Sequence, residues 1–279
     1  MSEQPILQVR HFNKHFGPGC GHCSRPENRG LEGNYCPVCG TVYACDDVSL
    51  DLYPGEILGI VGESGSGKST LMKCLYFDDA ATSGTAFIQD EKVALKNVFQ
   101  LSSQQKRYIR NHLYGMVYQN PMMGLKMNFS SIGNIAEKLI AAGNRNVQDM
   151  EAKGKTLLEH VQIPLSRMKE MPENFSGGMQ QRVQIAKALS NNPPILFLDE
   201  VTTGLDLSVQ ANVLDLIKKI QREWQISMIV VSHDLAVIRM LADRTLVMLD
   251  GSVVETGLTD QILEDPQHAY TQQLVYSLI

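Results

Sequence analysis

Gly62-Glu63-Ser64-Gly65-Ser66-Gly67-Lys68-Ser69-Thr70 is the stretch whose reading decides the fold. The apolar run Ile57-Leu58-Gly59-Ile60-Val61 before it reads as a buried strand, and Leu71 and Leu75 after it recur at helical spacing. A glycine-rich loop between a strand and a helix is the setting of a phosphate-binding P-loop. Glycines let the backbone curl so that its N–H groups turn inward on a β-phosphate, and the helix N-terminus adds partial positive charge. Lys68 reaches the β and γ phosphates, and the Ser69 hydroxyl is placed to ligate Mg²⁺.

Working outward, other stretches put polar groups where such a loop needs them. Ile195-Leu196-Phe197-Leu198-Asp199-Glu200 is an apolar strand tipped by two acids. Asp199 is positioned to hold Mg²⁺ through water, and Glu200 to orient and polarise an attacking water. Tyr114 to Gln119 reads as another strand, with Gln119 at the carboxyl edge where ligands of an open α/β sheet sit. Phe175-Ser176-Gly177-Gly178-Met179-Gln180 opens a helix whose N-cap is Ser176, and two glycines expose its first N–H groups as a second anion site. Ile226 to Val231 reads as a buried strand ending in Ser232-His233-Asp234, which makes His233 a candidate γ-phosphate sensor.

Cys20-Gly21-His22-Cys23 and Cys36-Pro37-Val38-Cys39 give the spacing C-x2-C-x12-C-x2-C. Two such knuckles can wrap four thiolates around one tetrahedral ion, so Cys20, Cys23, Cys36 and Cys39 fit a structural Zn²⁺, with iron or a redox-active pair as alternatives. Four protein ligands leave no open position, which argues against catalysis at this metal. His22 reads as a surface residue, and Cys45 and Cys74 as half-buried thiols outside the pattern.

At 279 residues the chain can bury a sizeable core, and its 43% hydrophobic and 20% charged fractions are those of a globular protein. Its apolar runs are far shorter than the roughly 20 residues that span a bilayer, and neither a transmembrane helix nor a cleavable signal peptide is expected. A net charge of −5 and a pI near 5.8 give no bulk attraction to nucleic acid. Residues 6 to 16 read as a strand, and 44 to 61 as two strands around Tyr53-Pro54-Gly55-Glu56. Residues 84 to 100 read as further short strands, 103 to 112 as a polar helix, and 131 to 170 as helices interrupted by a loop from Gly143 to Asn146. The helix after Asp206 carries Val209, Val213, Ile217, Ile220 and Trp224 toward the core, and a polar helix closes the chain.

Taken together, the P-loop, the Gln119 loop, the Ser176 to Gln180 signature, the Asp199-Glu200 pair, Asp206 and His233 occur in the order and spacing of ATP-binding cassette (ABC) ATPases, which the chain resembles over nearly its whole length. The resemblance implies an α/β P-loop NTPase fold as one cassette domain over 1–279, with a RecA-like core, an antiparallel β-subdomain, a helical subdomain over 120–175 and a zinc-ribbon-like insertion over 17–45. It implies ATP and Mg²⁺, the latter held by Ser69, Gln119 and Asp199. It also implies catalysis by Glu200, His233, Gln119 and Lys68, and a second cassette, copy or paralogue, each P-loop facing the other's signature. Phe16 stands where the family stacks an aromatic on adenine. Nucleotide contacts run from Gly62 to Thr70 and include Gln119, Ser176, Gly177, Gly178, Gln180, Asp206 and His233. Val201 replaces the proline common after the glutamate, and Thr203-Gly204 replaces the commoner small pair. Both leave the charged groups in place.

Within the family, the tail from Gly257 to Thr271 looks like the oligopeptide-importer branch. Gly133 to Leu139, Ala142 to Arg145 and Ile163-Pro164 look like the cassette subunit of the bacterial carbon–phosphorus lyase system, some members of which carry a cysteine-rich insertion. The second likeness implies a cytoplasmic protein docked on a soluble lyase core in phosphonate breakdown. The first implies a membrane permease and a place at the inner membrane. A DNA-processing ATPase, for which some relatives carry zinc modules, and a non-hydrolysing scaffold are the readings from other classes. The acidic charge disfavours the former, and intact Glu200 and His233 the latter.

Overall fold

The computed structural model describes residues 4–23, 30–93 and 96–276. Residues 24–29 of the expected insertion and 94–95 of the expected strand segment lie outside the described residues. In chain order the elements are β1 (Leu7–Phe16), β2 (Val42–Leu52), β3 (Ile57–Val61), α1 (Lys68–Leu75), β4 (Ser83–Ile88), α2 (Ser103–Tyr108) and β5 (Tyr114–Val117). The short helix α3 (Pro121–Gly124) follows, then α4 (Ser131–Ala141), α5 (Val147–His160), α6 (Gly177–Leu189), β6 (Ile195–Asp199), α7 (Leu207–Trp224) and β7 (Ser227–Ser232). The chain ends through α8 (Leu235–Leu241), β8 (Arg244–Leu249), β9 (Ser252–Leu258), α9 (Thr259–Glu264) and α10 (Ala269–Tyr276). One sheet has the order β2-β1-β4 and the other β5-β6-β7-β3-β8-β9. By internal contacts the chain divides into two compact units. The first is Met1–Tyr53, Leu58–Ser102 and Val231–Ile279, and the second is Pro54–Ile57 and Ser103–Val230.

In the first unit β1 runs antiparallel to β2, from Leu7↔Leu52 to Phe16↔Val42, and antiparallel to β4. Alternation along β1 buries Leu7, Val9 and Phe12 on one face, the pattern of a sheet with one covered side. The five residues of β3 are all buried, and β3 pairs parallel with β8. That continuous apolar run is what a strand covered on both faces requires, and it holds the P-loop at its carboxyl end.

In the second unit β5 and β6 pair in parallel, Tyr114↔Ile195 to Val117↔Leu198, with the Tyr114 and Phe197 rings edge to face at 4.8 Å. Side chains of Ser130, Asn146, Ser176 and Asp206 accept N–H groups at the starts of α4, α5, α6 and α7, so each of these helices begins at a built-in cap. Among the described residues no helix is long and apolar enough to cross a membrane.

Four expectations are corrected. Among the described residues, 84 to 100 hold one strand, β4, and not several. Asn97 pins the return, its carbonyl oxygen accepting from Ala86 N and its amide donating to Gly84 O. The helix expected over 103–112 is α-helical only to Tyr108 and widens into a π-helical turn at Ile109–Leu113, which buries Ile109 and Leu113. Cys45 and Cys74 are fully buried, and burial pushes the Cys74 thiol up to about 11. Trp224 is only half-buried, at the end of α7 with its ring 5.6 Å from His160, so the core face of that helix stops at Ile220.

Candidate functional site

The P-loop is built by close backbone packing. Gly67 has φ +102°, and a Cβ there would lie 2.0 Å from the Ala44 carbonyl oxygen. At Gly62 a Cβ would lie 2.1 Å from Met248 O. Only glycine lets the loop nestle between β2 and β8 at these two points. Ser66 O accepts from Gly251 N at 3.1 Å, tying the loop to the β8–β9 turn. Lys68 is buried, and its ammonium donates to Gly62 O and Glu63 O at 2.7 Å each and to Ser66 Oγ at 3.2 Å. The cation is thereby held against the loop's own oxygens. Ser69 and Thr70 follow on the first turn of α1, half-buried, while Glu63, Ser64 and Gly65 are exposed at the rim.

Two further predicted residues belong to this unit. Phe16 ends β1 and is 46% exposed, and the Lys14 ammonium sits 4.5 Å from its ring centre. His233 is exposed just beyond β7. Its turn is fixed on both sides: Ser232 Oγ accepts from Asp234 N at 3.0 Å, and Asp234 Oδ1 from Ala236 N at 2.8 Å.

The second unit assembles the acid pair. Asp199, 5% exposed, ends β6. Glu200 follows in a left-handed conformation, φ +46°, which turns its side chain out of the strand's alternation. Gln119 Nε2 donates to Glu200 Oε2 at 3.1 Å, and Thr203 Oγ1 donates to the same oxygen at 3.2 Å. Behind Gln119, Gln181 donates to its carbonyl at 3.1 Å, and Gln184 accepts from Tyr118 N at 2.8 Å.

Ser176 and Gly177 lie exposed at the start of α6, where Ser176 Oγ accepts from Met179 N at 3.4 Å. Gly178 is buried, with Val209 of α7 where a Cβ would go. The Gln180 amide donates to Pro172 O and Phe175 O, at 2.9 and 3.1 Å. Asp206 caps α7, accepting from Val209 N at 3.0 Å.

The four knuckle cysteines converge, with their Sγ atoms all within 4.8 Å of one another. Cys20–Cys23, Cys20–Cys36 and Cys23–Cys39 are 3.7, 3.8 and 3.6 Å apart. A tetrahedron of thiolates about 2.3 Å from a zinc ion has edges of about 3.8 Å, whereas a disulfide needs about 2.05 Å. The donor set therefore fits a tetrahedral ion. The hydroxyl of Tyr43 pulls the Cys23 thiol down to about 6, that of Thr41 lowers Cys39, and burial pushes Cys36 up to about 11.

The sequence profile described as ABC transporter matches residues 45–203, from β2 through the P-loop, the acid pair and Thr203. The chain belongs to the ABC transporter ATPase family.

As a cassette of that family it is an ATP hydrolase. It is 42% identical over 276 residues to the putative phosphonates utilization ATP-binding protein PhnK of Escherichia coli (strain K12), covering 99% of this chain and 98% of that one. It is 38% identical to the peptidoglycan transport ATP-binding protein YejF of Agrobacterium fabrum, over 98% of this chain and 47% of that one. For the glutathione import ATP-binding protein GsiA of Escherichia coli (strain K12), identity is 39%, over 84% of this chain and 39% of that one. The cassette thus spans less than half the length of these two relatives. Among solved structures it is similar to the ATP-binding cassette MJ0796, a dimer in a post-hydrolysis state bound to ADP and Pi. The TM-score is 0.75 at 26% identity, over 91% of this chain and 99% of that one.

Within each unit the cassette gathers its predicted residues unevenly. The P-loop forms one cradle and Gln119 meets Glu200, while Ser176 and Asp206 cap their own helices. Sequence reasoning missed Tyr270, whose hydroxyl accepts from the P-loop's Glu63 N at 2.8 Å from 207 residues away. It also missed the role of Thr203, noted only as a departure, and of Gln181 and Gln184. For these two the sequence carries no such signal: their burial in α6, beside Val183 and Ile185, is visible only in the structure.

Proposed function

We propose that this cassette hydrolyses ATP in a two-cassette sandwich and couples that cycle to a carbon–phosphorus lyase assembly acting in phosphonate breakdown. The observation that carries the lyase assignment is the likeness to PhnK, which runs the full length of both chains. The importer reading has its own support in YejF and GsiA, but those proteins are more than twice as long as the stretch that matches. A tagged pull-down from soluble and membrane fractions decides. Recovery of soluble lyase subunits supports the assignment, and recovery of a polytopic permease overturns it in favour of an importer at the inner membrane. The lyase reading places the cassette in the cytoplasm and gives it no nucleic-acid partner.

In this reading ATP lies along Gly62 to Thr70, with its base on Phe16 and its terminal phosphates within reach of Lys68. The Ser69 hydroxyl, the Asp199 carboxylate and the Gln119 side chain are hard oxygen donors that suit Mg²⁺, which when bound neutralises charge on the phosphate oxygens. Glu200 takes a proton from a water attacking the γ-phosphorus. The bond to the β–γ bridging oxygen breaks, and ADP and phosphate leave. Gln119 and Thr203, both donating to Oε2, hold the carboxylate in one orientation for that step.

His233 senses the γ-phosphate. A second cassette, for which a copy of this chain supplies every required group, presents Ser176, Gly177, Gly178 and Asp206 to the same nucleotide. Gln180 serves by fixing the Ser176 turn through Pro172 and Phe175. Contacts to the γ-phosphate close the sandwich, and their loss on hydrolysis reopens it. Cys20, Cys23, Cys36 and Cys39 hold a structural Zn²⁺. Metal analysis of protein purified under reducing conditions tests this, with one zinc per chain supporting it and none overturning it.

A further inference from the structure

The cysteine lobe is joined to the end of β1 that carries Phe16, and its own core is very small. Among the described residues, Cys23, Cys36 and Tyr43 are buried together, with Cys20, Leu31 and Cys39 packed against them. So little apolar mass cannot order a segment of that length without a cross-link, and the lobe's order therefore depends on the metal.

Two residues of the chain running into β2 carry that order to β1. Thr41 is fully buried, and its Oγ1 lies 3.1 Å from Cys39 Sγ and accepts from Gly19 N at 2.9 Å. Its carbonyl accepts from Cys36 N at 2.8 Å. Gly17, directly after Phe16, presses on it so closely that a Cβ would lie 2.7 Å from Thr41 Oγ1. Tyr43 donates its hydroxyl to Cys23 O at 3.0 Å, donates its N–H to Asn34 O at 2.7 Å and packs its ring 5.6 Å from His15. Between Thr41 and Tyr43 lies Val42, the register partner of Phe16 in the last pair of the β1–β2 ladder. A terminal pair frays unless something beyond it holds it, and what lies beyond it here is the lobe.

We propose that zinc in the four-cysteine lobe sets the affinity for the adenine base, through Thr41 and Tyr43 as positioning residues for Phe16. The proposal rests on the readings that Phe16 takes the base and that the lobe holds zinc. Loss of zinc frees the end of the ladder, and the aromatic platform is no longer held in place. The P-loop packs on Ala44, Met248 and Gly251, inward of the last pair of the ladder, and keeps its hold on the phosphates.

The test compares binding of ATP with binding of tripolyphosphate, which has no base, by calorimetry on the full chain with zinc content measured in parallel. The samples compared with the parent are Cys36→Ser, the parent treated with a zinc-selective chelator and then resupplied with zinc, Tyr43→Phe, Phe16→Ala and the Phe16→Ala/Cys36→Ser double variant. Base stacking on an aromatic is worth enough that zinc-free protein is expected to lose about fivefold or more in ATP affinity and almost nothing for tripolyphosphate. Added zinc restores the chelated sample. Tyr43→Phe keeps its zinc and shows a smaller loss of the same kind. Phe16→Ala reproduces the loss, and adding it to Cys36→Ser causes no further loss.

Three results overturn the proposal, each at a different point. Parent protein without zinc removes the metal reading beneath it. An unchanged ATP-to-tripolyphosphate ratio in Phe16→Ala removes the base reading. Zinc in the parent and a base effect of Phe16, together with an unchanged ratio in zinc-free protein, overturn the inference alone.

Discussion

The P-loop and the signature turn are both glycine-bearing helix starts, yet they are built in opposite ways. At the P-loop, Ser66 and Lys68 are buried, Gly62 and Gly67 have no room for a side chain, and Gly251 and Tyr270 brace the loop from behind. At the signature, Ser176 and Gly177 are exposed, the Ser176 hydroxyl caps its own helix, and the nearest atom to a Cβ on Gly177 is Leu205 Cδ2 at 3.4 Å. The first is a cradle shaped by its own unit. The second is an open turn at the surface, which suits the proposed meeting with a ligand carried by another chain. Helix N-termini of equal dipole can thus serve unequal ends, and burial of the flanking groups separates them.

The largest effect expected falls on the chemistry. Glu200→Gln keeps the shape of the side chain but cannot accept a proton, so ATP turnover measured by phosphate release falls roughly 100-fold or more while ATP binding persists. Turnover at the parental rate would remove Glu200 from its role.

A pair of glycine substitutions breaks the comparison itself. Gly67→Ala forces a Cβ against the Ala44 carbonyl at positive φ and is expected to cost about 3 kcal/mol or more of stability, together with nucleotide binding. Gly177→Ala places a methyl in ordinary contact at a helix start and should change stability by less than about 1 kcal/mol. It leaves ATP binding intact, but it loses turnover because the exposed N–H groups are crowded. Chemical denaturation and calorimetry read both. Equal destabilisation by the two would mean that the signature is as internally constrained as the P-loop.

Thr203→Val removes a donor to Glu200 Oε2 and should lower kcat about five- to tenfold with KM little changed, Thr203→Ser restoring it. In the Glu200→Gln background the same change should have no further effect, which a merely structural role would not produce.

Much of this was legible because it is local. A strand, a glycine loop and a lysine lie within a dozen residues, and the acid pair tips one apolar run, so adjacency in sequence sufficed for the P-loop and for Asp199-Glu200. The knuckles were legible for the same reason, since C-x2-C closes a turn. What escaped is long-range. Nothing near Glu63 announces that Tyr270 will accept its N–H, and Thr41 and Tyr43 read as ordinary strand residues until the lobe packs on them. Residues 84 to 100 misled because β-branched and aromatic residues there suggest strands, whereas Asn97 turns the chain back with three side-chain hydrogen bonds, to Gly84, Ala86 and Phe99. Trp224 misled because the helical stripe of α7 continues to it in sequence after the covering layer has ended.

The smallest effect expected concerns the brace. Tyr270→Phe takes one hydrogen bond from the P-loop backbone, worth about 1 kcal/mol, and should weaken ATP binding only a few-fold.

The central claim is that the P-loop of one chain and the signature of another complete one site. Its most direct test is the mass of Glu200→Gln in sedimentation with saturating Mg²⁺ and ATP, where hydrolysis cannot reopen the pair. The account predicts the mass of two chains with ATP, of one chain with ADP, and of one chain with ATP when Ser176→Arg is added. A single-chain mass at saturating ATP, with nucleotide binding measured in the same sample, would contradict it.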